Sequence, residues 1–301
     1  MTKIANCHAI RGDFRILLRD IWDVIVKPII AVLQGELDLP KGSRIWWCPT
    51  GLASHLPLHA AGDYDNNGQC LPNLYISSYT TTLSSLINAR QTRCHPSHLD
   101  VVPRLLVVGQ QGTGDEDKLF SVAEELEFLQ QMVPSASILE GVAATRETVI
   151  ANISFYEWLH LTCHGHVNLR EPFKSRFSLA DGPLSLGEVL WNSLPQSRLV
   201  FISACLSAAG NQERSDEALH LVASLQFAGY QSAVGTMWEM ADSTGLTVTK
   251  VFWSEMLKFQ AENPGADVTD MSALALHRAV TTLRREKTEL VDWACFVHHG
   301  C

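Results

Sequence analysis

The chain of 301 residues is long enough to bury a substantial hydrophobic core, as one large domain or as two smaller ones. Its content of 46% hydrophobic and 18% charged residues is typical of a globular protein and argues against wholesale disorder. The formal net charge of −9 argues against a general binder of nucleic acids or anionic membranes, because both need clustered Lys and Arg.

The sequence shows no pattern of a membrane span or of a secretory signal. Its apolar runs are all too short to cross a bilayer, and the first residues do not have the pattern of a signal peptide. The eight cysteines follow no repeating framework, which indicates reduced thiols. We therefore expect a cytoplasmic protein that contacts neither membranes nor nucleic acids.

Alternating strand and helix patterns fill the first half of the chain. Apolar residues at three- and four-residue spacings predict an amphipathic helix over residues 13–35, which Pro28 kinks or divides. Further helices are predicted at 81–90, 121–132 and 145–153, and short apolar runs predict strands at 44–48, 74–79, 105–109 and 137–139. In the helix at 121–132, Val122, Leu126 and Leu129 form the apolar face, and the glutamates are expected elsewhere.

The second half continues the alternation. Strand patterns end at His164 and Cys205, an Asp-Gly turn predicts a hairpin at 177–184, and another strand is expected at 232–238. Helices are predicted at 185–191, 216–229, from Asp242 (whose side chain can cap it) through residue 257, and at 273–286, before a final edge strand at 293–297. This order predicts an α/β fold with a mainly parallel sheet flanked by helices.

The two strand patterns that end at His164 and Cys205 carry the chemistry. Ligands of an open parallel sheet bind beyond the carboxyl ends of its strands, so the imidazole and the thiol are expected to face each other there. An imidazole can take the proton of a thiol and make it nucleophilic. The backbone N–H groups of Gly165 and Cys205 could bind the oxyanion of an acyl-transfer intermediate.

Other residues near this pair have plainer interpretations. His160 and Cys163 are expected in the core, whereas Ser203 shares the strand face of Cys205 and could line the pocket. A lone cysteine after an apolar run is more often a small buried side chain than a nucleophile. A zinc site built from Cys163, His164, His166 and Cys205 lacks the usual ligand spacings, so no metal is predicted.

Several motifs resemble the CHAT domain, a caspase-like protease family related to separase, and the likeness is closest to fungal members. They occur in the family order as WWCPTGL (46–52), LPLHAAG (56–62), LHLTCHG (159–165), FISAC (201–205), Asp216-Glu217, AGY (228–230) and VGTMW (234–238) with Asp242. The resemblance implies a caspase–haemoglobinase sheet, with His164 as catalytic histidine and Cys205 as nucleophile. It also implies cysteine endopeptidase activity without a metal or other cofactor.

The resemblance also implies substrate contacts and partners. In the related separases an acidic residue near the end of the strand after the nucleophile helps to receive a basic P1 side chain. Asp242 holds the matching position, although it could be an ordinary helix cap; Glu239 is the weaker candidate, and Asp216 could line the same cleft. The implied partners are a protein or peptide substrate and regulatory helical-repeat or nucleotide-binding domains, in cis or in trans.

The sequence thus predicts a cysteine endopeptidase in a regulated signalling or cell-death-like pathway. Residues 1–153 are expected to form the supporting half of the domain and residues 154–301 the catalytic half. The alternative is a catalytically silent interaction module, whose cleft binds a peptide or a partner domain in a signalling assembly.

Overall fold

The structure, a computed structural model, begins with a long helix that contains one π-helical turn. It describes residues 14–65, 68–92, 103–112, 118–168, 171–191, 197–203, 206–208, 222, 225–226, 228–264 and 268–301. Helix α1 occupies residues 14–35, with the π turn at Trp22–Val26 and regular helix at Lys27–Gly35. Pro28 has no N–H to donate, and the change in hydrogen-bond spacing just before it lets the helix continue.

Eight strands form the central sheet. They are β1 (Arg44–Trp47), β2 (Ile76–Tyr79), β3 (Leu105–Gly109), β4 (Ser137–Glu140), β5 (Trp158–Thr162), β9 (Leu199–Ile202), β11 (Ser232–Thr236) and β12 (Phe296–Gly300). Their order in the sheet is β1-β2-β12-β11-β9-β5-β3-β4. The pairs are parallel except for β11 with β12, which confirms the mainly parallel sheet.

A smaller sheet of four strands accompanies the central one. It consists of β6 (Gly165–Val167), β7 (Arg176–Leu179), β8 (Gly182–Ser185) and β10 (Leu206–Ala208), in the order β10-β6-β7-β8. The predicted Asp-Gly hairpin forms its β7–β8 edge, and Gly182 supplies a positive φ of 132° at the turn.

Helices cover both faces of the central sheet. They are α2 (Leu83–Thr92), α3 (Ser121–Met132), α4 (Arg146–Ile153), α5 (Leu186–Trp191), α6 (Asp242–Glu262), α7 (Ser272–Arg285) and α8 (Leu290–Trp293). Successive side chains of a strand point to opposite faces, and here Val107 joins the core under α3, α6 and α7, whereas Val108 joins the core under α4 and α5. The inner strands are therefore apolar at nearly every position, as expected of a sheet buried on both sides.

The last strand corrects the prediction of an edge strand at residues 293–297. β12 lies inside the sheet, between β2 and β11, and runs antiparallel to β11. Residue Trp293 ends the short helix α8 instead of starting the strand. The apolar run at 293–297 does not reveal which strands lie beside it in the sheet, and all five residues of β12 are buried, as expected of an inner strand.

Both halves of the chain supply strands to the central sheet: β3 and β4 adjoin β5, and β12 pairs with β2. In the described part of the chain, none of the helices combines the length and the apolar character that crossing a membrane requires.

Candidate active site

His164 lies just beyond the carboxyl end of β5. All five residues of that strand are buried, and Cys163 is 0% exposed, which confirms its prediction as a core residue. His164 itself is partly exposed, and its carbonyl oxygen accepts a hydrogen bond from the N–H of Ser178 on β7 at 2.9 Å. Gly165, at the start of β6, is buried and pairs with Phe177. The backbone of His164 thus lies between β5 of the central sheet and β6 of the smaller sheet and is held by the bond to Ser178.

The strand that leads to Cys205 is β9, the neighbour of β5. Leu161 of β5 is the partner of Ile202, and the N–H of Ser203 donates to the carbonyl oxygen of Leu161 at 2.8 Å. Cys205 lies outside the described residues. The description resumes at β10, where Leu206 is the parallel partner of Gly165.

The register of the two segments is the same on both sides of this short gap. Before the gap, Ile202 is the partner of Leu161, and after it, Leu206 is the partner of Gly165. Residue numbers of the two partners differ by 41 in both pairs: 202 − 161 and 206 − 165. The described residues of the two segments therefore have the same register in the central sheet and in the smaller sheet.

Ser203 is buried beside the end of β9, with 7% of its surface exposed. Its hydroxyl donates to the carboxylate of Glu125 at 2.7 Å, and the same carboxylate contacts His160 at 3.1 Å. His160 is 0% exposed, which confirms its prediction as a partnered core histidine.

Sequence reasoning missed Glu125, because it places the glutamates of the helix at 121–132 away from the apolar face. Glu125 is 2% exposed. A signal was present: Glu125 follows Val122 by three residues and so shares the face of the helix that Val122 and Leu129 bury. A hydropathy pattern classes every glutamate as a polar surface residue and does not show that His160 and Ser203 provide hydrogen-bond partners for this one in the core.

Asp242 and Glu239, the candidates for a basic P1 side chain, both follow β11. Glu239 is exposed, and Asp242 is partly exposed at the first position of α6. The predicted cap of that helix by Asp242 is wrong, because Ala241 is the N-cap residue and makes no side-chain cap bond. The carboxylate of Asp242 instead accepts a hydrogen bond from the N–H of Ser121, the first residue of α3, at 2.9 Å.

Two other predictions concern residues that the structure describes only in small part or not at all. Asp216 lies outside the described residues, as does most of the predicted helix at 216–229. Within the ranges that the structure covers, no group of three His, Cys, Asp or Glu side chains is arranged to hold a metal ion.

Comparison with known proteins identifies the architecture. The family model described as "CHAT domain" matches residues 15–301. No curated protein sequence matches the chain significantly. Among solved structures, the Arg-specific cysteine proteinase gingipain R of Porphyromonas gingivalis is similar over 76% of this chain and 54% of its own, with 9% identity and a TM-score of 0.52.

A second similar structure is the Saccharomyces cerevisiae separase–securin complex. The similarity covers 82% of this chain and 15% of that chain, with 11% identity and a TM-score of 0.53. This chain therefore spans about half of the gingipain chain and less than a fifth of the separase chain. At these identities the likeness shows the fold alone, and it confirms the predicted caspase–haemoglobinase-like sheet.

Proposed function

Because the chain belongs to the CHAT domain family and has a sheet like that of caspase-like cysteine proteases, we propose that it is a cysteine endopeptidase. In this proposal Cys205 is the nucleophile and His164 the general base. The substrate is a protein or peptide, and the chemistry uses neither a metal nor another cofactor.

The observation that carries the proposal is the constant register of the two segments across the gap between the two sheets. Cys205 and His164 differ in residue number by the same amount as the partners on either side of them. The described neighbours of His164, Leu161 and Gly165, are thus paired with the described neighbours of Cys205. In our proposal Cys205 keeps this register, and its thiol then comes within reach of the imidazole of His164, because neighbouring strands lie about 4.8 Å apart.

The reaction proceeds as two acyl transfers. The thiol of Cys205 gives its proton to His164, and the sulfur attacks the scissile carbonyl carbon to form a tetrahedral oxyanion. We assign the backbone N–H groups of Gly165 and Cys205 to bind that oxyanion. The imidazolium then returns the proton to the leaving amine as the C–N bond breaks, which leaves a thioester. Water, deprotonated by His164, attacks the thioester, and collapse of this second intermediate releases the carboxylic acid and regenerates the thiol.

A basic P1 side chain fits the acidic residues that follow β11. The hydrogen bond from Ser121 engages Oδ2 of Asp242, and Oδ1 is the atom to pair with an Arg or Lys of the substrate. Glu239 is exposed three residues earlier and adds negative charge, and Asp216 is proposed to line the same cleft. The formal net charge of −9 favours the approach of a cationic peptide.

The cellular setting is also part of the proposal. None of the cysteines whose state the structure describes forms a disulfide, which fits a reducing cytoplasm: Cys48, Cys70, Cys163, Cys295 and Cys301. We place the activity in a regulated signalling or cell-death-like pathway, with helical-repeat or nucleotide-binding domains as regulatory partners. The separase of the similar structure is held in a complex with securin, which supports control by a protein partner.

The proposal is tested with an electrophilic peptide that carries Arg at P1. We expect stoichiometric labelling of Cys205 in the unaltered protein. The chain segment around residue 205 should not be labelled in the Cys205→Ala or His164→Ala variants. The matched control is Cys48→Ala, which removes an exposed free thiol and should label normally. Labelling that survives His164→Ala contradicts the dyad. Absence of labelling in the unaltered protein, after addition of a partner domain as well, favours a silent interaction module.

A further inference from the structure

A cluster of polar side chains is buried in the core under α3 and α6. Glu125 on α3 is 2% exposed, His160 on β5 is 0% exposed, and the ring of His160 stacks on Phe201 of β9 with centroids 5.2 Å apart. Trp253 on α6 completes the cluster and is also 0% exposed. Burial of a carboxylate costs several kcal/mol unless it is well partnered, so its contacts are informative.

Hydrogen-bond chemistry fixes the direction of every contact in the cluster. The indole Nε1–H of Trp253 can only donate, and it lies 3.1 Å from Nδ1 of His160, so Nδ1 accepts. The ring proton of His160 is therefore on Nε2, which donates to Oε2 of Glu125 at 3.1 Å. The other oxygen, Oε1, accepts from the hydroxyl of Ser203 at 2.7 Å.

One carboxylate thus joins the ends of the two strands that lead to the proposed dyad. His160 is four residues before His164 on the β5 side, and Ser203 is two residues before Cys205 on the β9 side. Each oxygen of Glu125 holds one of the two strands, and α3 holds the carboxylate. We infer that Glu125 is a positioning residue for the proposed dyad: it sets the separation of the imidazole and the thiol through His160 and Ser203. This inference rests on the proposed function.

The sheet itself does not depend on this carboxylate. The β5–β9 pairing runs from Trp158 with Leu199 to Leu161 with Ile202, and the bond from the N–H of Ser203 to the carbonyl oxygen of Leu161 is independent of Glu125. Loss of Glu125 therefore leaves β5 and β9 paired, but it removes the side-chain link between His160 and Ser203 near the carboxyl ends of the two strands. A displacement of about 1 Å between reacting groups is enough to reduce a rate by up to about a hundredfold.

The variants are chosen by their hydrogen bonds. Glu125→Ala removes both links. Glu125→Gln keeps both: its Oε1 accepts from Nε2 of His160, and its Nε2 donates to the hydroxyl oxygen of Ser203, which also accepts from Oγ1 of Thr249 at 3.5 Å. Glu124→Ala is the matched control, because this neighbouring glutamate is 58% exposed and pairs with Lys250 at 2.6 Å, away from the cluster.

The readout is the rate at which iodoacetamide alkylates Cys205 between about pH 5 and pH 9, which depends on the thiolate and needs no peptide substrate. The tryptic peptide 199–214 contains Cys205 as its only cysteine, so mass spectrometry isolates its signal from the other thiols. We expect Glu125→Ala to react at least about tenfold more slowly than the unaltered protein near pH 6 and to follow the pH profile of His164→Ala. Glu125→Gln should recover the rate to within about threefold, and Glu124→Ala should be unchanged.

Two different failures are distinguishable. A folded Glu125→Ala protein with the unaltered pH profile overturns the positioning role of Glu125, whereas equal profiles for the unaltered protein and His164→Ala overturn the dyad. If Glu125→Ala does not fold, Ser203→Ala decides, because it removes only the 2.7 Å link to β9. An unchanged profile in that variant also overturns the inference, and a profile moved toward that of His164→Ala supports it.

Discussion

The carboxylate of Asp242 accepts a hydrogen bond from the backbone N–H of Ser121 at 2.9 Å, so the first residue of α6 caps the first residue of α3. The N-terminal N–H groups of a helix lack partners within the helix, and a carboxylate there also meets the positive end of the helix dipole. Asp242 therefore has a structural task in addition to the substrate contact that we propose for it. The two tasks make different demands on its charge.

Substitution of Asp242 separates the two tasks. Asp242→Ala should lower the free energy of unfolding by about 1 kcal/mol, because the Ser121 N–H loses its acceptor, whereas Asp242→Asn keeps an acceptor and should cost less than about 0.5 kcal/mol. If Asp242 receives the P1 side chain, both variants should lower kcat/KM for a peptide with Arg at P1 by about tenfold or more. Urea unfolding and peptide cleavage measure the two effects. Unchanged cleavage in Asp242→Asn would remove Asp242 from the substrate site.

Acid should destabilise the protein through His59. Burial lowers the pKa of His59 from 6.5 to about 4, although the hydrogen bond to the carbonyl oxygen of Ala294 acts in the opposite direction. Between these two pH values the unfolded chain binds a proton that the folded protein does not, so stability is complete above pH 6.5 and falls as the pH decreases toward 4. His59 as a whole residue is partly exposed, so we expect a loss of no more than about 3 kcal/mol.

The measurement for His59 is the free energy of unfolding at a series of pH values. In His59→Gln, which cannot titrate, the decrease between pH 6.5 and 4 should become smaller by the contribution of His59. The pKa of His277 is also lowered by burial, so the difference between the two proteins isolates His59. Parallel stability curves for both proteins would contradict this assignment.

Gly300 should tolerate no side chain. Its φ of 100° is a conformation that favours glycine, and an added Cβ would overlap the backbone carbonyl oxygen of Gln231. We expect Gly300→Ala to lower the free energy of unfolding by at least about 2 kcal/mol, because neither the strained backbone nor the opposing carbonyl can move cheaply.

Gly35 provides the matched control for Gly300. It lies at the end of α1, its φ is not positive, and a Cβ there would meet nothing within 4 Å. Gly35→Ala should leave stability unchanged or raise it by up to about 1 kcal/mol, since alanine is the better helix former. Thermal or urea unfolding of both variants tests the contrast, and equal effects at the two positions would refute it.

Ser185 and Glu188 form a reciprocal cap at the start of α5. The N–H of Ser185 donates to Glu188 at 2.9 Å, and the N–H of Glu188 donates to the Ser185 hydroxyl at 3.2 Å. The Ser185 hydroxyl also donates to the Glu188 carboxylate and, as the largest cause, lowers its pKa. Ser185→Ala should cost about 1 kcal/mol at neutral pH.

The cost of losing this cap should depend on pH. A carboxyl group with a lowered pKa contributes stability above its unfolded pKa of 4.5, and the contribution disappears as the pH falls through the folded value. Urea unfolding at pH 7 and at about pH 3 should therefore show a smaller difference between Ser185→Ala and the unaltered protein in acid. A constant difference would show that the carboxylate does not take part.

The sequence was sufficient where a side chain obeys a periodic pattern. The apolar runs at β5 and β9 predicted buried strands, strict alternation assigned Cys163 to the core, and the position of His160 deeper in the strand than His164 assigned it to the core as well. It was insufficient where a partner comes from a distant element. The Asp242 carboxylate caps α3, 121 residues away in sequence, and no local rule distinguishes that contact from a cap of its own helix. Glu125 shows the same limit, because its partners His160 and Ser203 are 35 and 78 residues away in sequence.

The proposed site illustrates how register adds to pattern. Motif and chemistry selected His164 and Cys205 separately, but only strand pairing shows that their neighbours share one register. Cys205 and Asp216 lie outside the described residues, and their roles stay predictions.

The place of β12 has a consequence for how the molecule is assembled during synthesis. The only bridge from strands β1 and β2 to the other strands of the described central sheet is β12, whose residues Phe296–Gly300 are translated more than 200 residues after β2. A ribosome adding about 5–20 residues per second leaves the edge of β2 without its neighbour for roughly 10 seconds or longer. The nascent chain must shield that edge until β12 is synthesised, so the unpaired edge of β2 is a target for a chaperone that binds extended segments.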